Sequence, residues 1–310
     1  MLEPQITPYI HFCQAYDVPL SLESVSLQRE RYNAMRAALA ESISPNLNIQ
    51  DSLIPSSAGH SIPIRIYQPN TTTQQAPQAC CLFMHGGGFV VGNLETHHDW
   101  VAELCELSGV MICSIDYRLS PEHRYPAALN DVSEVFQHLI SHANSYHIDP
   151  QRIALCGDSA GGNLAAAMSL LARDKLKHLP QPKAQLLIYP GLGASLLGAD
   201  DTESAPLLKS DDLNFYYEAY MGNQVPDQYA FPLLAKNFSN LPTAFILSVE
   251  YDPVRQDSFQ YAEKLRKAGV KVEHSDVAGL VHGCMQARRT SPATRQAFDL
   301  WAKALKDLLI

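Results

Sequence analysis

The stretch Gly157-Asp158-Ser159-Ala160-Gly161 decides the fold of this chain of 310 residues. It follows an apolar run at residues 152–156, which indicates a buried strand, and it precedes helix-forming residues at 163–168. A G-x-S-x-G sequence between a strand and a helix is typical of a nucleophile elbow, a sharp turn that exposes a serine hydroxyl. The stretch therefore predicts acyl-transfer chemistry with Ser159 as the nucleophile.

A second glycine-rich sequence, His85-Gly86-Gly87-Gly88-Phe89, follows another apolar run at residues 79–84. Because glycine lacks a Cβ atom, such a loop can bring backbone N–H groups close to a substrate carbonyl. We expect the oxyanion donors to be Gly86, Gly87 and Ala160, the last at the positive end of a helix dipole. A phosphate-binding loop is the alternative, but the sequence has neither the Lys-Ser/Thr ending nor the GxGxxG spacing.

Strand-like and helix-like runs alternate along most of the chain. Strands are predicted at residues 52–55, 62–67, 79–84, 110–115, 152–156, 184–189, 243–249 and 270–277, and helices at 96–107, 126–143, 211–221 and 292–310. Near-continuous apolar strands between helices predict an α/β fold with a mostly parallel central sheet and helices on both faces. With 46% hydrophobic residues, the chain can bury one large core.

Two segments fall outside this alternation. Residues 1–45 have amphipathic helical spacing with no preceding strand, and residues 191–225 combine a loop-like stretch at 191–199 with an aromatic-rich helix. We expect both segments to form a helical cap over a core made of residues 46–190 and 226–310. For residues 211–221, an ordinary surface helix on the edge of the core is the alternative. Residues 71–78 predict a surface loop.

The serine needs a base and a carboxylate that orients the base. Functional groups gather at the carboxyl ends of parallel strands, and the acid follows the serine in the chain order typical of this elbow. Asp252 follows the strand predicted at residues 243–249 and is the predicted acid. Asp257 and Glu250 are its rivals, but Asp257 should already lie in the next helix and Glu250 in or beside the strand.

The predicted base is His282, in the sequence Gly279-Leu280-Val281-His282-Gly283 near the end of the chain. Glycines on either side suit a loop that brings an imidazole to Ser159. His274 falls inside a strand-like run and is predicted to be structural or exposed. Cys284 lies two residues after His282, but the elbow already supplies a nucleophile.

Three further polar positions are predicted to be structural. His85 should anchor its loop rather than act as a base, and Asp158 should hold the elbow. The sequence His97-His98-Asp99 could bind a metal ion, but adjacent histidines at a helix start point in different directions. We therefore predict no metal site.

Composition excludes several classes of function. A net charge of −9 gives no basic excess with which to bind nucleic acid. The seven cysteines are odd in number and show no CxxC spacing, which favours reduced thiols in a reducing compartment. The N-terminal sequence has no basic and apolar signal pattern, and no apolar run approaches the ~18 residues of a membrane span. We predict a cytoplasmic protein that does not bind membranes.

Taken together, these motifs resemble the hormone-sensitive-lipase-like branch of α/β-hydrolase carboxylesterases, most closely bacterial acetyl esterases. The resemblance covers roughly residues 50–310. It is carried by His85-Gly86-Gly87-Gly88, Tyr117-Arg118-Leu119-Ser120-Pro121-Glu122, Gly157-Asp158-Ser159-Ala160-Gly161-Gly162, Asp252-Pro253 with Asp257, and His282-Gly283. The resemblance implies an α/β-hydrolase fold with a cap, no metal or organic cofactor, and hydrolysis of small esters with short acyl chains. Ser120 departs from the alanine often found there, which we expect to be neutral.

The resulting hypothesis is a serine carboxylesterase for acetyl to about hexanoyl esters, either a monomer or a homodimer. Phe89, Val90, Phe215, Tyr216 and Leu280 are the predicted acyl-pocket residues. A ligand receptor on the same fold is the rival hypothesis, but a receptor has no need of all three triad residues. An amidase or a lipase is also possible, although the polar cap does not suit a lipase lid.

Overall fold

One eight-stranded sheet organises residues 1–70, 76–193 and 205–310, the part of the chain that the computed structural model describes. Its strands are β1 (Leu47–Pro55), β2 (Ser61–Pro69), β3 (Gln78–Met84), β4 (Met111–Ile115), β5 (Ile148–Asp158), β6 (Ala184–Ile188), β7 (Thr243–Tyr251) and β8 (Val272–Val281). The spatial order is β1-β2-β4-β3-β5-β6-β7-β8. Strands β1 and β2 pair antiparallel with their neighbours and the others are parallel. The mostly parallel sheet is thus confirmed.

Helices cover both faces of this sheet. They are α1 (Thr7–Gln14), α2 (Val25–Ala38), α3 (His98–Ser108), α4 (Ala127–Ser141), α5 (Ala143–Tyr146), α6 (Ala160–Lys175), α7 (Ser210–Met221), α8 (Arg255–Lys267) and α9 (Pro292–Leu309). Side chains of α4, α6 and α8 share one core, whereas those of α1, α3 and α9 share another. Alternate residues of β3 enter opposite cores, because successive side chains of a strand point to opposite faces. This is why β3 is apolar throughout.

The edge strand β8 is longer than predicted, and its length positions the site. It runs to Val281, which pairs with Tyr251 at the end of β7. The prediction ended the strand at residue 277 because the glycines at 279 and 283 indicated a loop, but β8 continues and its last three residues are buried. Because both strands end at the same level of the sheet, Asp252 and His282 follow them directly and lie at the same edge.

The N-terminal segment and the insertion meet above the carboxyl ends of the strands. Arg29 of α2 donates from Nε to the Val90 carbonyl at 2.8 Å, and Tyr9 of α1 donates to the Gly283 carbonyl at 2.8 Å. Apolar side chains of α7 share a small cluster with the loop after β3. The predicted domain boundaries stay predictions, and the predicted loops at 71–78 and 191–199 lie partly outside the described residues.

Candidate active site

Ser159 occupies a sharp turn between β5 and α6. Its φ of 53° is in the left-handed region, which a residue with a side chain seldom adopts, and its N–H donates to the Ile188 carbonyl at 2.8 Å. The flanking glycines permit this turn: a Cβ on Gly157 would lie 2.4 Å from the Gly161 carbonyl carbon, and one on Gly161 would lie 1.9 Å from the Met84 oxygen. The motif's spacing is therefore a packing requirement.

Two hydrogen bonds join Ser159, His282 and Asp252 in a chain. Ser159 Oγ is 2.8 Å from His282 Nε2, and His282 Nδ1 is 2.8 Å from Asp252 Oδ2. Asp252 is buried, and its other oxygen accepts from the Val254 N–H at 2.9 Å. The carboxylate is thus fixed at both oxygens, and the imidazole lies between the hydroxyl and the carboxylate. A nucleophile, a base and an orienting acid have this mutual geometry.

The rival carboxylates have structural partners instead. Glu250 accepts from the Gly279 N–H at 2.7 Å. Asp257 accepts from the Leu192 N–H and, at 2.7 Å, from the Gly193 N–H, so it holds the loop that follows β6. Both acids therefore bind backbone amides rather than His282.

A second serine, histidine and aspartate cluster joins β7 to β8. Ser248 Oγ is 2.9 Å from His274 Nε2 and donates to Asp276 Oδ1 at 2.7 Å. Here the serine lies between the base and the acid, so the acid does not orient the imidazole. Ser248 is also fully buried within β7. This arrangement links two strands and presents no hydroxyl to a cavity.

The structure corrects the expectation for Gly86 as an oxyanion donor. The Gly86 N–H already donates to Asp158 Oδ1 at 2.8 Å. Asp158, predicted to hold the elbow, thus ties the elbow to the glycine-rich loop. Gly87 and Gly88 line the same cavity as Ser159, with φ values of 120° and 59°. Because this hydrogen bond uses the Gly86 N–H, the candidate pair moves from Gly86 and Gly87 to Gly87 and Gly88.

His85 stabilises the start of the glycine-rich loop. It is buried, it stacks on Tyr117 with ring centroids 4.3 Å apart, and its Nδ1 is 2.8 Å from the Gly86 carbonyl oxygen. Burial, with a smaller contribution from His97, lowers the pKa of His85 to about 3. The side chain is therefore neutral near pH 7 and unsuited to general-base catalysis.

We expect this buried histidine to make the fold sensitive to acid. Between pH 6.5 and about 3, the unfolded chain binds a proton at His85 that the folded protein excludes. The free energy of unfolding should therefore fall with decreasing pH, by up to about 1.4 kcal/mol per unit from this residue. The free energy of unfolding, measured by urea titration at several pH values between 5 and 8, should depend less steeply on pH in His85→Gln than in wild type. The control is His178→Gln, because His178 is exposed. The prediction is contradicted if the pH dependence of the unfolding free energy in His85→Gln equals that of wild type.

The other histidines near this loop contact different partners. His97 Nε2 is 3.5 Å from Asp158 Oδ1, and His98 Nδ1 is 2.9 Å from the Tyr67 hydroxyl. Asp99 pairs with Arg288 at 2.8 Å. Across the described ranges, no group of three or more His, Cys, Asp or Glu side chains is arranged to hold a metal ion.

A cavity of about 450 Å³ opens above Ser159. Phe89 and Tyr216, both predicted acyl-pocket residues, line it. The expectation was wrong for the other three. Val90 and Phe215 pack together in the cluster between α2 and α7, and Leu280 points into the core beneath α3 and α9. Sequence position near the site gave no information on which way these side chains point.

Several lining residues escaped the sequence analysis because they come from distant segments. They are Tyr9, Tyr32, Arg36, Leu213, Tyr217 and Val254. The amphipathic spacing within residues 1–45 indicated helices with one buried face. Residues 1–45 were expected to form part of a cap, but the spacing does not show which side chains of that cap face the cavity.

Comparison with known proteins identifies the family. Residues 81–286 match the model of a family described by its alpha/beta hydrolase fold. The chain belongs to the hormone-sensitive-lipase-like α/β-hydrolase carboxylesterases. This carboxylesterase is 36% identical over 272 residues to the esterase LipI of Mycobacterium tuberculosis, covering 86% of this chain and 84% of LipI.

Two further comparisons extend over nearly the whole carboxylesterase. An ethyl acetate hydrolase of Pseudomonas putida is 30% identical over 297 residues, covering 92% of each chain. The structure of a hyperthermophilic esterase from the archaeon Pyrobaculum calidifontis superposes with a TM-score of 0.89 at 29% identity, covering 99% of this chain and 98% of that one. The carboxylesterase is thus a carboxylic ester hydrolase with the α/β-hydrolase fold. In the part of the chain described, no helix has the length and apolar character needed to cross a membrane.

Proposed function

We propose that this carboxylesterase hydrolyses short-chain acyl esters through a Ser159, His282 and Asp252 triad and an acyl-enzyme intermediate. The observation that carries the proposal is the chain of two 2.8 Å hydrogen bonds through His282, at the floor of the cavity. A weak nucleophile becomes reactive when a base accepts its proton during attack. Asp252 holds His282 in the tautomer whose Nε2 is free to accept that proton.

The first half of the reaction forms the acyl-enzyme. Ser159 Oγ attacks the ester carbonyl carbon as His282 Nε2 takes the hydroxyl proton. The carbonyl oxygen becomes an oxyanion, which accepts hydrogen bonds from the amides of Gly87, Gly88 and Ala160. One such donor contributes on the order of 3 kcal/mol to the transition state. The intermediate then collapses, the carbon–oxygen bond to the alcohol breaks, and His282 returns its proton to the departing alkoxide.

The second half releases the acid. His282 Nε2 accepts a proton from a water molecule as the water oxygen attacks the acyl-serine carbonyl. The same backbone amides stabilise the second oxyanion. Collapse breaks the bond to Ser159 Oγ, which recovers its proton from His282.

The cavity supports a preference for small acyl groups, from acetyl to about hexanoyl. Its volume of about 450 Å³ is at the smaller end of ligand pockets, and the bulky side chains of Phe89, Tyr216 and Tyr217 line it. The name of the Pseudomonas putida relative, an ethyl acetate hydrolase, points in the same direction. A long acyl chain would have to displace these aromatic rings or extend out of the cavity.

Hydrolysis of p-nitrophenyl esters from acetate to palmitate tests the proposed range. We expect kcat/KM to be highest between the acetyl and hexanoyl esters and to fall at least tenfold for the dodecanoyl and longer esters. Assays below the solubility limit of each ester, with an unrelated protein as control, separate acyl preference from aggregation of the substrate. Equal or faster turnover of long acyl esters would overturn the range.

The cysteines support the predicted reducing compartment. All seven are free and buried, and burial raises the pKa of Cys284, beside the base, to about 12. That thiol is therefore unreactive at neutral pH. A cytoplasmic location and a monomeric or homodimeric state stay predictions.

A further inference from the structure

Arg36 is a buried cation in the wall of the catalytic cavity. It lies near the end of α2, its exposed fraction is 7%, and it lines the same cavity as Ser159 and His282. The proposed hydrolysis of a neutral ester gives this guanidinium no role. A buried charge in the wall of the cavity that holds the reacting groups therefore needs an explanation.

Most of the hydrogen-bonding capacity of Arg36 is unused. Nη1 donates to Gln286 Oε1 at 3.0 Å, and Nη2 donates to the Tyr32 hydroxyl at 2.7 Å. A guanidinium has five N–H groups, so these two bonds leave three without an acceptor among the described residues. One of the three is on Nε, which is itself buried. Buried donors without acceptors are costly, which favours a site that receives an acceptor from elsewhere.

The charge of Arg36 also has no direct counter-ion. Within the described ranges, no carboxylate oxygen lies within 4.0 Å of it. Buried Arg288 gives the contrast, since it pairs with Asp99 at 2.8 Å and with Glu103 at 2.6 Å. Arg65 likewise pairs with two acids. Among the described residues, the buried guanidinium groups of Arg65 and Arg288 thus have carboxylate partners, whereas that of Arg36 in the cavity wall has none within 4.0 Å.

The surroundings of Arg36 only partly compensate its charge. Its guanidinium carbon lies 5.0 Å from the centre of the Tyr32 ring, a weak cation–π contact. Asp158 lines the cavity too and attracts Arg36 electrostatically, but neither of its oxygens lies within 4.0 Å of the guanidinium. An unpaired buried charge is unfavourable unless a ligand supplies the missing anion.

The remaining charged residues of the cavity wall lie at its mouth. Arg31, Asp17 and Lys209 are exposed, and Asp212 accepts from the Lys209 N–H at 2.8 Å. These groups stay hydrated, so water screens them. Arg36 differs because it is dehydrated, and an anion that reached it would be bound strongly and in a defined orientation.

Arg36 is fixed on the His282 side of the cavity. Gln286, which accepts from Nη1, belongs to the short turn that follows His282 and Gly283. Tyr9, a second cavity residue, donates to the Gly283 carbonyl at 2.8 Å. The guanidinium is therefore held by the segment that carries the base, and its position relative to the reacting ester should be constant.

We propose that Arg36 binds a free carboxylate of the substrate, so that the preferred substrates are short esters carrying a second, unesterified carboxylate. A planar guanidinium matches a carboxylate through two parallel hydrogen bonds, and the second N–H on each of Nη1 and Nη2 has no acceptor among the described residues. Monoesters of short dicarboxylic acids carry this group on the acyl side, and esters of short hydroxy acids carry it on the alcohol side. This inference rests on the proposed esterase function and specifies its substrate class.

Two pairs of esters with matched shape test the inference. Monoethyl succinate is compared with ethyl 4-methylpentanoate, which replaces the acyl-side carboxylate with an isopropyl group. Acetoxyacetate is compared with isobutyl acetate, which makes the same replacement on the alcohol side. Titration of the released acid at constant pH gives kcat and KM for all four without a chromophore.

We expect the charged ester of at least one pair to exceed its neutral partner at least tenfold in kcat/KM, mainly through a lower KM. The pair that shows the preference identifies the side of the ester that faces Arg36. Arg36→Gln should lower this ratio at least tenfold, and Arg36→Lys should retain part of it, because lysine keeps the charge but not the planar fork. Arg266→Gln, an exposed position on α8, has the same change in net charge and should leave the ratio as in wild type.

The outcomes separate this inference from the proposed function. If the neutral esters are hydrolysed and neither charged ester is preferred, Arg36 is a structural residue and the inference is overturned. The inference is also overturned if Arg36→Gln loses activity equally on the charged and the neutral ester of a pair, because Arg36 would then have a structural role. If Arg36→Gln does not fold, the wild-type ratio still decides. Failure to hydrolyse any of the four esters or any p-nitrophenyl ester would instead overturn the proposed function, and the inference with it.

Discussion

Replacing Ser159 with alanine is expected to lower kcat for p-nitrophenyl acetate by at least about 10⁴-fold, because no other hydroxyl among the described residues hydrogen-bonds to His282. The backbone amides and the cavity would still bind the ester, so a small residual rate over water should persist. KM should change little by comparison. Initial rates at saturating ester, together with the thermal unfolding midpoint, give the effect on chemistry and on folding separately.

Ser248→Ala is the matched control for this variant. Like Ser159, Ser248 has a histidine as a hydrogen-bonding partner, but it also donates directly to an aspartate. Its loss should cost about 1 kcal/mol of stability through the strand contacts and leave kcat near the wild-type value. The reverse result, with Ser248→Ala inactive and Ser159→Ala active, would show that the nucleophile is wrongly assigned.

Asp252→Asn is expected to lower kcat by about 10⁴-fold with little change in fold. The asparagine amide can turn its NH₂ group toward His282 Nδ1, which would then act as an acceptor. Nε2 would in consequence carry the proton, and it could no longer take one from Ser159. Rates measured over a pH range should show the loss across the neutral region, and the variant should unfold at a temperature close to wild type.

Asp257→Asn tests the alternative choice of acid. Asp257 accepts from the amides of Leu192 and Gly193, so the substitution should cost about 1–3 kcal/mol of stability. Its kcat should remain within about fivefold of wild type, since Asp252 still orients the base. If Asp257→Asn were the inactive variant and Asp252→Asn the active one, the roles of the two carboxylates would have to be exchanged.

The fold followed from the sequence where local physics determines it. Apolar runs such as residues 79–84 and 243–249 predicted buried strands, because a parallel strand has no exposed face. The end of the edge strand β8 was missed because Gly279 and Gly283 indicated a loop, although the last three residues of the strand are buried. The ends of a strand depend on its hydrogen-bonding partner, and the pairing of Tyr251 with Val281 is not encoded near either residue.

The candidate site, too, could be predicted from the sequence only in part. The sequence by itself determined Ser159, Asp252 and His282 as candidates, because an elbow needs glycines at fixed spacing and the other two follow strand ends. Only the tertiary structure decided that Asp158 occupies the Gly86 amide and that Val90, Phe215 and Leu280 face away from the cavity.

Arg36 shows most clearly what the sequence alone could not predict. As a sequence position it is one arginine in an amphipathic helix, whose expected place is the solvated face. Whether its charge is neutralised depends on which carboxylates the fold brings within 4 Å, and that is a property of distant segments packed together. Local sequence determines what backbone a segment can form, because backbone sterics and local hydrogen bonds act between near neighbours along the chain. The surroundings of a buried charge are set by contacts across the chain, so only the tertiary structure decided them.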